Sequence, residues 1–340
     1  MRYLRNLNTD PYFNMAYDEY ALQRLPLDEP LFYLWQNKPA VIIGLNQNAY
    51  AEVNLDYLRE SDIALVRRVT GGGAVYHDLG NLNYTIVGRT KDLERDYPEY
   101  TRHMLRALQA LGVEAELSGR NDILVCGRKV SGFAKRVYKD RLMVHGTLMF
   151  DVDLGVLEQA LNGSTGKLAA KGVASVRSRV MNLRECLPHV TDIADFRDRL
   201  EQYLSCDYRD KEFLLSTEDL QKIELSARTK FATPEWVFGT SNPVSVEVSR
   251  GSHKANYKKR LPCGMVEVEL DVSDGHIVAC RFGGDFIGNL PVSSLAASLV
   301  GVRYDARALR QRLLPLDVET YFDGVGVDDL LELLLPSNPQ

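Results

Sequence analysis

The sequence predicts an α+β, or mixed α/β, fold in two domains, a larger one over 1–243 and a small α/β accessory domain over 250–340. The first observation is a series of short apolar runs, rich in β-branched and aromatic residues and bounded by Gly or Asn, as strands are. The second is a set of segments between them with apolar residues at helical spacing. The third is a change in the pattern of expected elements after 233–243, where a hairpin and two helices form the last part of the chain.

The individual elements of the larger domain follow from these patterns. Helical spacing begins at Phe13, after the turn residues Asp10 and Pro11. A helix is expected over 96–112, with Asp96 as its N-cap and Gly112 at its end. The strands are expected at 31–35, 40–44, 64–69, 74–78, 82–87, 122–127 and 142–152.

The rest of the chain is mostly helical up to about residue 225, interrupted by a long polar and cationic stretch at 162–179 that is expected to form a loop. In the smaller domain, 265–282 predicts a β-hairpin turning at 273–275. Helices are expected at 308–316 and 327–335. The domain boundary is placed near 244–250.

Composition narrows the class of protein. The 340 residues are 45% hydrophobic and 26% charged, which is ordinary for a globular chain, and the net charge of -5 argues against nucleic acid as a partner. No apolar run reaches membrane-spanning length, and the first residues do not resemble a secretion signal. The five cysteines are scattered without a CxxC pair or zinc spacing, which favours reduced thiols and a cytoplasmic location.

The segment 67–87 is the most informative for chemistry. Arg67 and Arg68 precede three successive glycines at 71–73, and His77 and Asp78 follow at a strand end. Glycine lets a ligand or another chain approach the backbone, so a cationic pair beside it predicts an anion cradle. The alternative is a tight hairpin turn. The segment is neither a Rossmann fingerprint nor a P-loop, because no helix opens after the glycines and GxxxxGK[ST] is absent.

A second segment, 119–150, carries a lysine beside small residues. Lys129 lies just before Ser131 and Gly132, and a neighbouring strand contains the sequence His-Gly-Thr at 145–147. A lysine beside a phosphate cradle can neutralise charge that develops in phosphoryl or acyl transfer. Asp122 could hold Mg²⁺ through oxygen ligands. The alternatives are a solvated lysine and, at position 145, a hydrogen-bonded core histidine.

Two further features allow a functional and a plainer interpretation. The stretch 167–183 predicts either a solvated basic loop or a lid whose Lys171 and Arg177 close over a polyanion. Among the cysteines, Cys263 could be a reactive thiol, but a structural or surface thiol is favoured because no basic partner can be assigned. Cys126 is expected in the core of a strand.

Together these segments resemble the lipoate–protein ligase A family in its two-domain bacterial form. The family's RRxxGGGAVxHDxGN pattern stands at 67–81, its GRNDxxV…RKVSGxA signature at 119–134, and its KGVxSVRSRVxNL loop at 171–183. The HGTLL-type strand has Met149 in place of the common leucine. In the second domain, GGDFIG at 283–288 and LVGVRYD at 299–305 resemble the accessory domain of these ligases. The likeness covers nearly the whole chain.

The resemblance implies a biotin/lipoate-ligase-like catalytic domain that uses ATP and Mg²⁺ to convert lipoate into lipoyl-AMP and pyrophosphate. The lipoyl group then passes to a lysine of a carrier, either an E2 lipoyl domain of a 2-oxoacid dehydrogenase or a glycine-cleavage H protein. Lys129 is implied as the catalytic residue and Asp122 as the metal ligand. The residues implied to bind ATP or lipoate are Arg68, Gly71, Gly72, Gly73, Ala74, Val75, Tyr76, His77, Asn121, Asp122, Lys129, Ser131, Gly132, His145, Gly146, Thr147, Lys171, Gly172, Val173, Ser175 and Arg177.

Three other functions stay open at this point. An octanoyl or lipoyl transferase of the same fold would work through a cysteine thioester without ATP. A biotin ligase would differ in the acid that it activates. A non-catalytic paralogue would bind lipoate or a carrier without forming pyrophosphate.

Overall fold

A computed structural model of the chain describes residues 1–91, 93–119, 121–161, 179–204, 212–239 and 252–336. The chain is divided into two compact units. Unit 1 comprises Met1–Ile43, Ala49–Val69 and Ala74–Gly239, and unit 2 comprises Gly44–Asn48, Thr70–Gly73 and Thr240–Gln340. The predicted boundary at 244–250 lies outside the described residues, so the domain limits remain a prediction.

Unit 1 contains a large mixed sheet of eight strands and a small sheet of three among its described residues. The strands of the large sheet, in spatial order, are β11 (Glu212–Phe213), β1 (Arg2–Leu4), β2 (Leu31–Trp35), β6 (Asn81–Arg89), β10 (Arg141–Met149), β9 (Arg128–Tyr138), β8 (Asp122–Val125) and β7 (Ala115–Ser118). The small sheet has the order β4 (Ala64–Arg67), β3 (Ala40–Ile43) and β5 (Val75–His77). Both sheets mix parallel and antiparallel pairs.

Helices cover both faces of the large sheet. Those of unit 1 are α1 (Pro11–Gln23), α2 (Ala49–Glu52), α3 (Leu55–Glu60), α4 (Leu93–Ala110), α5 (Leu154–Leu161), α6 (Ile193–Leu204), α7 (Thr217–Ser226) and α8 (Pro234–Phe238), with a 3₁₀ turn at Leu183–Cys186 and a π-helical turn at Ala227–Phe231. The helix α1 begins at Asp10, whose side chain accepts from the Phe13 amide.

Alternation along the strands sends different side chains to the two faces of the large sheet. One face packs against α4 and α6, where Met104, Leu108 and Phe196 are fully buried. The opposite face packs against α1 and the small sheet, with Met15, Ile42, Val66 and other apolar side chains between the layers. This second apolar layer surrounds the polar residues described below.

Unit 2 contains an antiparallel sheet of three strands and four described helices. The strands are β12 (Ser252–Leu261), β13 (Gly264–Ser273) and β14 (His276–Gly284), in that order. The helices are α9 (Val292–Leu299), α10 (Ala306–Leu313), α11 (Val318–Tyr321) and α12 (Val327–Leu334). Asp274 and Gly275 have φ of 50° and 74°, so the predicted hairpin turn is confirmed.

Most predicted elements are confirmed, and two differ in an instructive way. The helix expected from 96 begins at Leu93, so Asp96 lies inside it rather than at its N-cap, while Gly112 ends it with φ of 89°. The expectation that Cys126 lies in the core is wrong. β8 ends at Val125, and Cys126 is an exposed turn residue with φ of 50°.

Candidate functional site

The site in unit 1 is built on the face of the large sheet that meets α1 and the small sheet. Strand register pairs Tyr33 with Thr85 and Thr85 with His145. Two residues away along the same strands, Trp35 pairs with Asn83, and Asn83 pairs with Thr147. Directly opposite residues of antiparallel strands share a face. Two polar rows therefore cross β2, β6 and β10 side by side, within an otherwise apolar layer.

Asp18 of α1 organises the first row. The Tyr33 hydroxyl donates to Asp18 Oδ1 over 2.6 Å, the Thr85 hydroxyl donates to the same atom over 3.0 Å, and His145 Nδ1 lies 2.7 Å from Oδ2. Because a carboxylate only accepts, His145 Nδ1 carries a hydrogen. Burial and the adjacent carboxylate raise the pKa of the Tyr33 hydroxyl well above its ordinary value. Because His145 Nδ1 is hydrogen-bonded to a buried carboxylate, this nitrogen agrees with the alternative of a hydrogen-bonded core histidine.

A chain of amides fixes the hydrogen on His77. The two hydrogens of Asn14 Nδ2 are shared among three acceptors, two backbone carbonyls at 3.0 and 2.9 Å and Asn37 Oδ1 at 2.8 Å. Since Oδ1 of Asn37 accepts, its Nδ2 is the atom facing His77 Nδ1 at 3.0 Å. His77 Nδ1 is then an acceptor, and Nε2 bears the hydrogen. Burial, followed by the nearby charges of Arg68 and His145, lowers the pKa of His77 to about 3, so the ring is neutral.

Four buried polar atoms around these rows have no hydrogen-bond partner among the residues that the structure describes. They are His77 Nε2, Asn83 Nδ2, Asn81 Oδ1 and the hydroxyl of Tyr17 on α1. The Trp35 indole lies beside them, with its ring centroid 6.0 Å from that of His77. A buried donor without an acceptor costs about 1–3 kcal/mol, so such groups indicate a place that a ligand completes.

Lys129 and Asp122 form an ion pair at one end of the polar rows. The Lys129 Nζ atom is 2.7 Å from Asp122 Oδ1, and both side chains are about one third exposed, at 34%. A Cβ placed on Gly132 would lie 2.8 Å from that Nζ atom, so the glycine leaves the space that the lysine occupies. The Thr147 hydroxyl accepts from the Gly132 amide over 3.2 Å and holds this strand pair together.

The two arginines before the glycines are buried. Arg67 donates to the Trp236 and Val237 carbonyls at the end of α8, over 3.0 Å and less, and the Trp236 indole donates back to the Arg67 carbonyl over 2.8 Å. Arg68 donates to the Ile42 carbonyl over 3.1 Å. Burial lowers the pKa of each guanidinium to about 10, which leaves both charged at neutral pH.

The three glycines belong to unit 2. A Cβ on Gly71 would lie 2.4 Å from the Phe286 carbonyl oxygen, and the Gly72 amide donates to that oxygen over 3.2 Å. Gly73, in contrast, has nothing within 4 Å of an added Cβ. The sequence predicted that a ligand or another part of the chain approaches the glycine backbone closely. At Gly71 it is the Phe286 carbonyl that does so.

Several implied binding residues point away from the polar rows. Gly146 pairs with Tyr84, and its missing side chain leaves room for the Tyr84 ring on the opposite face of the sheet. Ser131 is fully buried in β9, one position along the strand from Gly132. The Asn121 side chain donates to the Phe133 carbonyl over 3.1 Å and so fastens the start of β8 to β9.

The remaining implied residues divide into three groups. Ala74, Val75 and Tyr76 lead into or lie on β5 beside His77. Lys171, Gly172, Val173, Ser175 and Arg177 lie outside the described residues. The predicted metal ligand Asp122 has no surrounding cluster, since the described parts of the chain contain no group of three or more His, Cys, Asp or Glu side chains that could hold a metal ion. None of the described helices is long and apolar enough to cross a membrane.

Sequence reasoning missed Asp18, Asn37 and Asn83, although two of them leave a signal. Along β6 the residues Asn81, Asn83 and Thr85 recur at every second position of a strand whose intervening residues are apolar. Such a polar period inside a buried strand indicates a polar face beneath other structure. Asp18 follows Asn14 by one helical turn, whereas nothing near Asn37 in the sequence marks it.

Comparison with known proteins agrees with this architecture. The family model of the lipoyl protein ligase A/B catalytic domain matches residues 10–205, and that of the bacterial lipoate protein ligase C-terminus matches 252–334. The chain is 36% identical to "Lipoate-protein ligase LplJ" of Bacillus subtilis, covering 97% of this chain and 98% of that protein.

Two solved structures show the same fold in the larger part of the chain. One is the bipartite lipoate protein ligase of Thermoplasma acidophilum, from a study of that ligase and its E2 lipoyl domain (29% identity, TM-score 0.63, 72% of this chain and 98% of that chain). The other is a lipoate-protein ligase A bound with ATP (27% identity, TM-score 0.61, 70% and 98%). The predicted fold class is thereby confirmed. From its two family matches and this nearly full-length likeness, we conclude that the chain is a ligase and belongs to the lipoate–protein ligase family.

Proposed function

We propose that this ligase activates lipoate with ATP to lipoyl-AMP, releasing pyrophosphate, and transfers the lipoyl group to a lysine of a carrier protein. The observation that carries the proposal is the Lys129–Asp122 pair on the same sheet face of unit 1 as buried donors that have no partner among the described residues. This arrangement offers positive charge and positioning, which are what acyl-adenylate chemistry requires, rather than a built nucleophile. A solved member of the family binds ATP, which supports the nucleotide.

Lys129 has the central role in this proposal. In the first step the lipoate carboxylate attacks the α-phosphate, and in the second a carrier amine attacks the carbonyl of the mixed anhydride. Negative charge grows on oxygen atoms of the phosphate in one step and of the carbonyl in the other. A single ammonium group held over Gly132 can stabilise both, because the two oxygens belong to adjacent groups of one intermediate.

The residues around Asp122 fit Mg²⁺ that arrives with the nucleotide. One carboxylate together with substrate phosphates and water is a common magnesium environment, so it does not require a group of three or more metal-ligating side chains, and the described residues contain none. Asp122 would hold the ion, and the ion would neutralise phosphate charge. Lys129 shares the same carboxylate oxygen, so a cation there would leave the ammonium free to turn towards substrate.

The partners and location follow from the same proposal. A carrier lysine must belong to a lipoyl-type domain, either an E2 lipoyl domain or a glycine-cleavage H protein, and a family member studied together with its E2 lipoyl domain supports the first. We place the protein in the cytoplasm. The residues proposed to contact the adenylate are Arg68, the backbone of Gly71–Ala74, and the implied lid residues Lys171 and Arg177.

The test is ATP–pyrophosphate exchange driven by lipoate, followed by mass spectrometry of a lipoyl domain incubated with enzyme, ATP and Mg²⁺. Exchange together with a lipoyl mass shift on one lysine is the expected result. Lys129→Ala should lose both half-reactions, and Lys129→Arg should recover part of the activity because it restores the charge. If Lys129→Ala transferred lipoyl from preformed lipoyl-AMP at the normal rate, the shared role of this lysine would be wrong.

The thioester transferase is separated by the same assays. Acyl transfer from an acylated carrier without pyrophosphate exchange would favour it, and so would loss of activity in one of five single Cys→Ser variants. Cys126 is exposed at the turn before β9, whereas Cys263 is fully buried in unit 2, which makes Cys126 the first variant to examine. Competition of biotin with labelled lipoate tests the biotin ligase.

A further inference from the structure

We propose that Cys126 and Cys186 form a site of reversible oxidation, at which a small disulfide such as oxidised glutathione converts the two thiols into one intramolecular disulfide. Both cysteines are free thiols in the described structure. Neither has a part in the proposed ligase reaction, so this inference goes beyond that function and does not depend on it. It rests on three observations, namely the placement of the two turns that carry these cysteines, the proximity of the two side chains, and the difference in their exposure.

The turn that carries Cys126 connects two paired strands. Val125 of β8 pairs with Arg128 of β9, so Cys126 and Gly127 form a two-residue turn, with φ of 50° and 72°. Positive φ at both residues is typical of a tight hairpin turn. Cys126 therefore lies at the tip of a hairpin, where it is exposed and takes no part in the pairing of the two strands.

The turn that carries Cys186 is held beside the start of the same hairpin strand. Just before this turn, the Met181 amide donates to the Lys129 carbonyl of β9 over 3.0 Å. Within the turn Leu183–Cys186, the Arg184 amide donates to the Phe150 carbonyl over 3.0 Å, directly after the end of β10. Backbone hydrogen bonds to two segments of the large sheet thus fix where Cys186 lies.

The side chains of the two turns interact directly. Arg128, which follows the Cys126 turn, donates to Glu185 Oε2 over 3.1 Å, and Glu185 is the residue before Cys186. Burial raises the pKa of the Cys186 thiol, and the negative charge of a Cys126 thiolate raises it further, by more than the Glu185 carboxylate does. Because a charge acts more strongly the closer it lies, the ion pair and this repulsion both indicate that the two thiols are neighbours.

The difference in exposure assigns an order to the two steps of thiol–disulfide exchange. Cys126 is exposed, so its thiol loses a proton and attacks one sulfur of the small disulfide, which forms a mixed disulfide and releases one small thiolate. Cys186 is partly buried against the core of unit 1 and less accessible to an external reagent. Its thiol then loses a proton and attacks the Cys126 sulfur, which releases the second small thiolate. Two electrons pass from the cysteine pair to the small disulfide, and the two released thiolates take up the two protons.

The product differs from the reduced protein in its stability. A bond between Cys126 and Cys186 would close a loop of about 60 residues that contains Lys129. Cross-linking a long loop restricts the unfolded chain, so the oxidised form is expected to resist unfolding better than the reduced form. In the reducing cytoplasm proposed for this protein, such a bond forms only when small disulfides accumulate.

The experiment treats the full chain with oxidised glutathione and identifies the products by peptide mass spectrometry. We expect a Cys126–Cys186 cross-linked peptide that dithiothreitol removes, together with a rise of about 1 M in the urea midpoint measured by tryptophan fluorescence. Cys186→Ser should stop at a mixed disulfide of glutathione with Cys126, whereas Cys126→Ser should leave Cys186 reduced. Cys280→Ser removes a partly buried thiol of unit 2, so it is the matched control and should form the same cross-link as the wild-type chain.

Several results would overturn the inference. One is a glutathione adduct on Cys126 of the wild-type chain without the cross-linked peptide, because a disulfide requires the two Cβ atoms to come within about 4.5 Å. A second is a wild-type Cys126 that stays unmodified, and a third is a cross-link from either residue to Cys206, Cys263 or Cys280. The peptide of the wild-type chain decides the question even if a Cys→Ser variant misfolds. Failure of lipoate-driven pyrophosphate exchange in the reduced chain would overturn the proposed function and leave this inference standing.

Discussion

Replacing Asp18 should destabilise unit 1 strongly, because this buried carboxylate accepts from three side chains. In Asp18→Ala, the Tyr33 hydroxyl, the Thr85 hydroxyl and the His145 Nδ1 hydrogen all lose their acceptor. Three unpaired buried donors at about 1–3 kcal/mol each predict a loss of at least about 3 kcal/mol in the free energy of unfolding. Asp18→Asn keeps one accepting oxygen and should lose about 1–2 kcal/mol.

The assay is urea unfolding followed by tryptophan fluorescence. Both tryptophans of the chain, Trp35 and Trp236, lie in unit 1, so the signal reports this unit alone. Asp28→Ala, at an exposed position after α1, is the control and should change the unfolding free energy by no more than about 0.5 kcal/mol. A loss below about 1 kcal/mol in Asp18→Ala, or a larger loss in Asp18→Asn than in Asp18→Ala, would refute the reasoning.

Three further predictions use the same reporter or hydrogen exchange. Because burial lowers the pKa of His77 from 6.5 to about 3, the unfolded chain takes up this proton first as the pH falls. The resulting loss in the free energy of unfolding is absent above pH 6.5 and grows by up to about 1.4 kcal/mol per pH unit down to pH 3. This loss should be missing from His77→Phe. Parallel pH profiles of unfolding free energy for the wild-type chain and His77→Phe would contradict the prediction. Gly71→Ala should remove exchange protection from the Gly72 amide by displacing the Phe286 carbonyl, whereas Gly73→Ala, which has open space, should retain it. Arg67→Ala should destabilise unit 1 by about 2–4 kcal/mol through the unpaired carbonyls at the end of α8, and a change under 1 kcal/mol would count against that role.

The unpaired polar groups of the site lower the stability of the ligand-free protein. Asp18, His77 and Asn83 are buried in a layer that is apolar apart from the two polar rows, so water cannot replace a missing partner cheaply. Stability given up at unpartnered donors is recovered when a ligand supplies acceptors. Bound lipoate is therefore expected to raise the unfolding free energy of unit 1.

The sequence by itself determined the family, the fold class and many of the elements, although it did not predict β9 and β12. Strands such as 31–35 were predicted from β-branched and aromatic runs, and the hairpin at 273–275 from its Asp-Gly turn, because these signals act over a few neighbouring residues. The motif that contains Lys129 also led, through the resemblance to the family, to its proposed role as the central cation. Local chemistry sufficed for the strands and the hairpin.

Only the tertiary structure decided which residues meet. Asp18 touches His145 across 127 positions of sequence, and Asn37 orients His77 across 40. Gly146 and Ser131 lie within the predicted motifs, but strand alternation directs Gly146 to the opposite face and buries Ser131. A hydrogen bond depends on the relative placement of two elements, which register and packing set and no short window of sequence contains. For the same reason, Asn83 lies outside the predicted motifs in the sequence but is paired in the sheet with Thr147, which belongs to one of them.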